Sequence, residues 1–179
     1  ASYVQHKGMK FNPASSNDGS FDGAAVVGDA AFTTNNALPE NPVTNLNDGD
    51  YETNYHSAWG GQQPVATEPI YVQVDLGSAA INGNFEIKVA PRFSNIVLNP
   101  LRVAIHTSVD GTVWKDLGDY KVVYDIAKSD SEADKKLGRV CVSNSAPARY
   151  VRFVSKENKD MGANQLSGGF ASMCLSELH

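Results

Sequence analysis

Hydrophobic and polar residues alternate over most of the chain after residue 70. The clearest run covers residues 70–77, where Ile70, Val72, Val74 and Leu76 fall on one face and a glycine ends the run. A period of two places successive side chains on opposite faces, which is typical of a β-strand with one buried face. Six further segments have the same character, and we predict that they are strands: residues 85–89, 101–107, 120–124, 139–142, 149–154 and 170–178.

Turn-forming residues separate these runs. Asp110-Gly111 follows the run at residues 101–107 and turns the chain towards Val113-Trp114, which predicts a hairpin. Only residues 126–137 resemble a helix, and their excess of Asp, Ser and Lys favours a solvated loop or a single turn. Many short strands joined by turns indicate an all-β fold, an antiparallel β-sandwich or jelly roll.

The N-terminal region differs from the rest of the chain. Residues 1–25 are mostly small and polar with weak periodicity, so we predict an extension or linker before a single domain at residues 26–179. They also lack the order of a signal peptide, and we expect a mature or excised segment. Short strands are predicted at residues 24–27 and 30–34. A chain of 179 residues, of which 41% are hydrophobic and 20% charged, fits one packed domain.

Charge and motifs argue against several classes of function. The net charge of -5 gives no electrostatic reason to bind nucleic acid or an anionic membrane, and no apolar run approaches the ~20 residues of a membrane span. The sequence has no GxSxG, HExxH, P-loop or dinucleotide motif, so we predict that the protein is not an enzyme; a carboxylate pair for glycoside hydrolysis is the remaining enzymatic alternative. Cys141 and Cys174 lack the spacing of a zinc site, and they form either one disulfide or two buried thiols.

The loop that begins at Asn45 is rich in groups that bind hard cations. The carboxylates of Asp48 and Asp50 and the hydroxyl of Thr53 surround Gly49. Calcium takes about six to eight oxygen ligands, and a glycine lets a short loop aim several of them at one point. The loop is not an EF-hand, because a tyrosine occupies the position of the bidentate Glu. These residues alone leave two alternatives, a metal loop or an Asx-rich turn.

Six landmarks follow one another in order along the chain. They are Asp48-Gly49-Asp50 with Thr53 and Tyr55-His56-Ser57-Ala58-Trp59, then Val72-Gln73-Val74-Asp75-Leu76-Gly77, Pro91-Arg92, residues 107–111 with Trp114, residues 148–153, and Ser176-Glu177-Leu178. In this order they resemble the landmarks of discoidin-like domains, also called coagulation factor 5/8 type C domains, which include the family 32 carbohydrate-binding modules. The family fold is a jelly-roll β-sandwich, as the strand pattern also predicts.

The resemblance implies a structural calcium ion. In the family the ion is held by the first Asp of the loop, nearby carbonyls, the loop Thr and a Glu of the last strand. The matching groups are the side chains of Asp48, Thr53 and Glu177 and the backbone carbonyls of Asn45, Asp50 and Ser176. Such a site would join the two ends of the chain.

The resemblance also implies a glycan site for terminal galactose or N-acetylgalactosamine near the calcium. The positions that match the family's sugar contacts are His56, Arg92, Asn99 and Phe170, with Trp59 as a second stacking surface. A galactose-type ring suits them, because its axial hydroxyl exchanges hydrogen bonds with Arg and His while its apolar face stacks on an aromatic ring. We therefore expect a noncatalytic module of a larger enzyme or surface protein, located in the periplasm, at the cell surface or outside the cell. The alternatives are that the histidine is a polar packing residue and that the aromatic residues belong to the core.

One segment departs from the family pattern. Sugar-binding members tend to have a polar, glycine-rich loop after Arg92, whereas residues 93–98 here read Phe-Ser-Asn-Ile-Val-Leu. Apolar loop tips contact membranes or proteins in other discoidin-like domains. The stretch from Ile96 to Leu98 therefore gives an alternative function, adhesion to a protein or membrane surface, and the scarcity of basic residues disfavours the membrane.

Overall fold

The computed structural model describes residues 32–50, 52–127 and 136–178. In this part of the chain, two five-stranded antiparallel sheets pack face to face, with a further two-stranded hairpin. The strands are β1 (Phe32–Thr34), β2 (Tyr55–His56), β3 (Tyr71–Asp75), β4 (Phe85–Pro91), β5 (Pro100–Ser108), β6 (Lys115–Lys121), β7 (Val123–Ala127), β8 (Lys136–Val142), β9 (Tyr150–Asn158), β10 (Leu166–Ser167), β11 (Phe170–Ala171) and β12 (Cys174–Leu178). The predicted all-β sandwich is confirmed.

The first sheet has the strand order β1-β3-β9-β5-β6. Along β3 and the residues next to it, the alternation in the sequence matches the burial of the side chains. The predicted inner face of Ile70, Val72, Val74 and Leu76 lies in the hydrophobic core. Burying a side chain of this size contributes about 1.5–3 kcal/mol relative to leaving it exposed. The predicted hairpin is also confirmed, because β5 and β6 pair across the turn that contains Asp110 and Gly111.

The second sheet has the strand order β2-β12-β4-β8-β7. The two-residue strand β2 pairs with the last strand, with Tyr55 opposite Leu175 and His56 opposite Cys174. Tyr55 is fully buried between the sheets, and its hydroxyl donates to the Asn36 carbonyl at 2.7 Å. The segment after the predicted metal loop is therefore fixed against the C-terminal strand.

The single strand that we predicted at residues 120–124 is wrong. The structure breaks it at Val122, with β6 in the first sheet and β7 in the second. The Val122 N–H donates to the Leu101 carbonyl at 2.9 Å, so the chain is held to β5 just as it leaves the first sheet. Alternation shows which side chains are buried, but it carries no information on which sheet a strand joins.

The single strand that we predicted at residues 170–178 is also divided. β11 ends at Ala171 and β12 begins at Cys174. Between them, the Ser172 N–H donates to the Gln165 carbonyl at 3.0 Å and the Met173 N–H donates to Ser57 Oγ at 2.9 Å. These two backbone N–H groups bind the loops that contain Gln165 and Ser57, instead of a neighbouring strand. The break between β11 and β12 therefore holds both loops in place.

The helical elements of the described residues are three short 3₁₀ helices, Val43–Asn47, Gly77–Ala79 and Ala163–Gln165. None of the helices in this part of the chain has the length and hydrophobicity needed to cross a membrane. The ends of the predicted loop at residues 126–137 belong to β7 and β8, and residues 128–135 lie outside the described residues. The extension predicted at residues 1–25 and the strand predicted at residues 24–27 lie outside them as well.

The two cysteines are free thiols. Cys141 lies on β8 and Cys174 on β12, and β4 runs between these strands. Of the two alternatives left by the sequence, the structure selects two thiols.

Candidate functional site

Asp48, the first carboxylate of the predicted metal loop, directly follows a 3₁₀ helix. Gly49 then turns the chain with a φ of 77°, a conformation that strains any residue with a side chain. The Thr53 hydroxyl donates to Asp48 Oδ2 at 2.5 Å and lies 3.1 Å from the backbone carbonyl oxygen of Asp50. Three oxygens of the predicted ligand set thus lie close together in this loop.

Glu177, on β12, adds a second carboxyl group to these oxygens. Its Oε1 accepts the Gly49 N–H at 3.2 Å, and only 2% of the residue is exposed. Burial raises the pKa of the Glu177 carboxyl to about 9, and the adjacent Asp48 carboxyl adds to this rise. A divalent cation between the two groups would favour the ionised form of both.

Two of the predicted carbonyl ligands lie on irregular backbone. The pairing of β12 with β4 shifts between Leu175 and Glu177, so Ser176 is the extra residue of a β-bulge. Asn45 lies within a 3₁₀ helix, and its side-chain amide donates to the Asn54 carbonyl at 2.9 Å. This hydrogen bond ties the start of the loop to its end.

The Asp50 side chain stabilises the turn. Its Oδ1 accepts the Glu52 N–H at 2.8 Å, whereas the Asp50 carbonyl faces the Thr53 hydroxyl. Within the described ranges, no three His, Cys, Asp or Glu side chains are close enough to hold a metal ion. A site here would therefore rely on two carboxyls, one hydroxyl and backbone carbonyls, which are oxygen ligands of the kind that calcium takes.

A pocket of about 110 Å³ opens beside the ends of β2 and β4. Three loops form its walls, and the lining residues are His56, Trp59, Arg92, Asn95, Val97, Leu98, Asn164 and Gln165. Three of the five predicted sugar contacts, His56, Trp59 and Arg92, thus meet in one pocket. Trp59 is 36% exposed, so part of its ring faces solvent.

His56 is 7% exposed and is held in one orientation. Its Nδ1 lies 2.7 Å from the Ser57 carbonyl, an acceptor, so Nδ1 carries the proton and Nε2 is the acceptor of the neutral ring. Burial lowers the pKa of His56, and the positive charge of Arg92 lowers it further; the Ser57 hydrogen bond and the Glu40 charge act in the opposite direction. The ring is therefore a neutral hydrogen-bond acceptor at pH 7.

Asn99 lies behind Arg92 and is absent from the pocket lining. The Arg92 N–H donates to Asn99 Oδ1 at 3.1 Å, and Asn99 Nδ2 donates to the Arg92 carbonyl at 3.0 Å. With 6% of the residue exposed, the amide closes the ends of the loop at residues 92–99. In this structure Asn99 positions the arginine, where we had expected it to contact sugar.

Phe170 is also absent from the pocket lining. It lies on β11 opposite Ser167, is half-buried, and packs against the hydrophobic core. The core alternative therefore describes its position, and Trp59 is the aromatic residue that the pocket presents.

Sequence reasoning missed the wall formed by Asn164 and Gln165. The Gln165 N–H donates to the Gly162 carbonyl at 2.8 Å, and the Gly60 N–H donates to the Leu166 carbonyl at 2.9 Å. These bonds fix the turn and join it to the loop that carries Trp59. In the sequence, these two polar residues are marked only by the Gly168-Gly169 pair that follows them, which indicates a turn. A turn signal does not show which loops lie together in the folded chain.

The apolar segment from Ile96 to Leu98 lies partly in the pocket wall and partly on the surface. Val97 and Leu98 line the pocket, whereas Ile96 is 42% exposed. Asn95 joins the same wall. The segment thus has one exposed apolar residue where the adhesion hypothesis expected a tip of three.

The family model for the F5/8 type C domain matches residues 30–167. The chain belongs to the F5/8 type C domain family. This confirms the family predicted from the landmarks. A search of the curated proteins found no match.

Solved structures share the fold of this F5/8 type C domain. The module CBM32-3 of a family 31 glycoside hydrolase from Clostridium perfringens is 20% identical, with a TM-score of 0.61, covering 83% of this chain and 86% of that chain. The CBM32-5 module of CpGH89 from the same organism, in complex with GalNAc-β-1,3-galactose, is 21% identical, with a TM-score of 0.59 and coverage of 82% and 91%. The family 32 module of its NanJ, in complex with galactose, is 18% identical, with a TM-score of 0.58 and coverage of 82% and 89%.

Proposed function

We propose that this F5/8 type C domain is a noncatalytic carbohydrate-binding module for terminal galactose or N-acetylgalactosamine of glycans. The observation that carries the proposal is the pocket that presents a neutral histidine, an arginine and an exposed tryptophan to one small ligand. The similarity of its fold to modules with galactose or GalNAc-β-1,3-galactose bound supports the same class of ligand.

The donors and acceptors of the pocket suit an axial sugar hydroxyl. His56 Nε2 accepts the hydroxyl proton, while the Arg92 guanidinium donates to the hydroxyl oxygen. A galacto-configured ring keeps an apolar face opposite its axial O4, and this face stacks on Trp59. Asn99 holds the backbone of Arg92 in place, which reduces the entropy lost on binding.

Calcium is the proposed structural ion of the module. The side chains of Asp48, Thr53 and Glu177 and the carbonyls of Asn45, Asp50 and Ser176 would hold it. The bound ion supplies positive charge to two adjacent carboxyls, one of which is buried. These residues connect the loop before His56 to the last strand, so the site stabilises the backbone next to the pocket.

The pocket lacks the groups of a glycosidase. None of its described lining residues is Asp or Glu, whereas glycoside hydrolysis needs two carboxyls about 5–9.5 Å apart. We propose an accessory role in a larger enzyme or surface protein, with glycans as partners and a secreted, periplasmic or cell-surface location. The likeness to a module of a glycoside hydrolase supports this role.

Adhesion to a protein is the second candidate function. The exposure of Ile96 at the rim of the pocket favours it. The burial of Leu98 in the pocket wall leaves a small apolar surface for such a partner.

Galactose and N-acetylgalactosamine should bind near millimolar concentration, about -4 kcal/mol, because the pocket is small and open. In Arg92→Ala the affinity should fall at least about tenfold, since a hydrogen bond to a charged group contributes about 1.5–3 kcal/mol. Titrations followed by NMR shifts measure both values. Arg149→Ala is the matched control, because Arg149 pairs with Asp75 away from the pocket and should leave the affinity unchanged. The absence of saturable shifts with every galacto-configured sugar would contradict the proposal.

Galactose affinity should stay constant from pH 8 to about pH 6.5 and fall at lower pH. A protonated His56 has no acceptor nitrogen, and burial holds the pKa of this histidine below its ordinary value of 6.5. The loss therefore begins only at a pH below that value. Titrations at a series of pH values, with the His56 ring signals as a monitor of protonation, test this; a loss already complete at pH 7 would refute the role of Nε2.

A further inference from the structure

Arg92 carries the only formal charge among the described residues that line the pocket. Two other arginines in this part of the chain form ion pairs at the surface: Arg102 with Asp119, and Arg149 with Asp75. Arg92 has no carboxylate of a described residue within 4.0 Å. No carboxylate of the described part of the chain therefore pairs with its positive charge.

The groups behind Arg92 do not neutralise it. Its guanidinium hydrogen-bonds the buried thiol of Cys174, whose pKa burial raises to about 12, so this partner stays uncharged. Glu40 is the acidic residue whose charge acts on the His56 ring; it is absent from the pocket lining and acts on the ring less strongly than Arg92 does. The pocket is thus locally positive in a protein with a net charge of -5.

The side chains that line the pocket also offer more hydrogen-bond donors than acceptors. The guanidinium has five N–H groups, and the amides of Asn95, Asn164 and Gln165 each add an NH₂ group beside one carbonyl oxygen. His56 Nε2 is the single nitrogen acceptor. A ligand rich in acceptors and negative charge matches this set better than a neutral sugar does.

Sugar stereochemistry places such a group next to the arginine. In a galacto-configured ring, the axial O4 and the C6 substituent lie on neighbouring carbons and on the same side of the ring. One guanidinium fork can therefore contact O4 with one N–H and an anionic group on C6 with another. In a gluco-configured ring, O4 is equatorial and also lies near the C6 group, but it points away from the side on which the axial O4 of galactose would meet His56 and Arg92 while the apolar face stacks on Trp59.

We propose that the sugar bound in this pocket is a galacto-configured residue with an anionic group on C6, a carboxylate or a sulfate ester, that pairs with Arg92. The inference rests on the proposed function and narrows its ligand class. Charge-assisted hydrogen bonds are roughly twice as strong as neutral ones, so the anionic sugar should bind about five- to tenfold more tightly than galactose.

The test compares galactose, galacturonic acid, galactose 6-sulfate and glucuronic acid by NMR titration. We expect galacturonic acid or the sulfate to bind about five- to tenfold more tightly than galactose at 0.1 M salt, and the tighter of the two identifies the anion. The advantage should shrink at 1 M salt, where the Debye length falls to about 3 Å. Glucuronic acid should bind more weakly than galacturonic acid.

Two arginine variants distinguish an ion pair with Arg92 from an effect of the overall charge of the protein. Arg92→Gln should remove the advantage of the anionic sugar, whereas Arg149→Gln, with the same loss of charge, should keep it. Equal affinity for galactose and both anionic sugars would overturn this inference and leave the proposed function intact. An advantage that persists in Arg92→Gln would overturn it as well. Failure of all four sugars to bind would instead refute the proposed function.

Discussion

Chelation of calcium should lower the melting temperature of the wild-type domain by about 5–10 °C. A ligand that binds only the folded state adds about 2.7 kcal/mol when its free concentration is 100 times Kd. For a chain of 179 residues, each kcal/mol corresponds to about 2–4 °C. The proposed ligands Asp48 and Glu177 lie far apart in the sequence, so they come together to form the site only in the folded chain. Thermal unfolding with calcium and with EDTA measures the shift.

The variant Glu177→Gln should abolish this shift, because it keeps the shape of the side chain and removes its charge. Glu52→Gln is the matched control, since Glu52 lies in the same loop with its side chain exposed and should keep the full response to EDTA. Identical melting curves of the wild type with calcium and with EDTA would rule out the site. So would a full EDTA response in Glu177→Gln.

The parts of the fold that sequence predicted are those set by local alternation. Ile70 and Val72 were placed on the buried face because a strand with one buried face repeats every two residues, and the structure agrees. The breaks at Val122 and between Ala171 and Cys174 were missed because they depend on contacts with distant loops. Hydrogen bonds between residues far apart in sequence leave no periodic pattern.

The candidate site divides in the same way. His56, Trp59 and Arg92 were predicted from motif positions, and the structure gathers them in the pocket. Asn99 matches its motif position, yet in this chain its amide is occupied by the backbone of Arg92. A motif position identifies the residue, whereas its role depends on how the intervening loop folds.

The pocket and the proposed calcium site share the same two strands. His56 lies at the end of β2 and pairs with Cys174, three residues before Glu177 on β12. The His56 N–H donates to the Asn41 carbonyl at 3.2 Å, and the Asn41 side chain donates to Asn54 Oδ1 at 3.1 Å. The histidine is therefore held by the backbone that also closes the predicted metal loop, so a calcium ion in the proposed site would support the orientation of His56 without touching it.

Gly168→Ala should destabilise the domain by about 2–5 kcal/mol. Gly168 has a φ of 58°, which costs a residue with a side chain about 1–2 kcal/mol. A Cβ at this position would also lie 2.0 Å from the Ala66 carbonyl oxygen, a backbone atom that cannot move without shifting its loop, and overpacking of this kind costs about 1–3 kcal/mol. The melting temperature should fall by about 5–20 °C.

Gly169→Ala is the matched control for this variant. Gly169 also has a positive φ, 88°, but its Cβ would meet no atom within 4 Å. The variant Gly169→Ala should lose only the stability that the positive φ costs, about 1–2 kcal/mol. The difference in the free energy of unfolding between the two variants therefore isolates the contact with Ala66. The same loop also contacts the chain next to the pocket wall, because the Ala66 N–H donates to Ser167 Oγ at 2.9 Å and Ser167 follows the turn of Asn164 and Gln165. Chemical denaturation of both variants measures the difference, and equal losses of stability would show that the loop at Ala66 yields to the added methyl group.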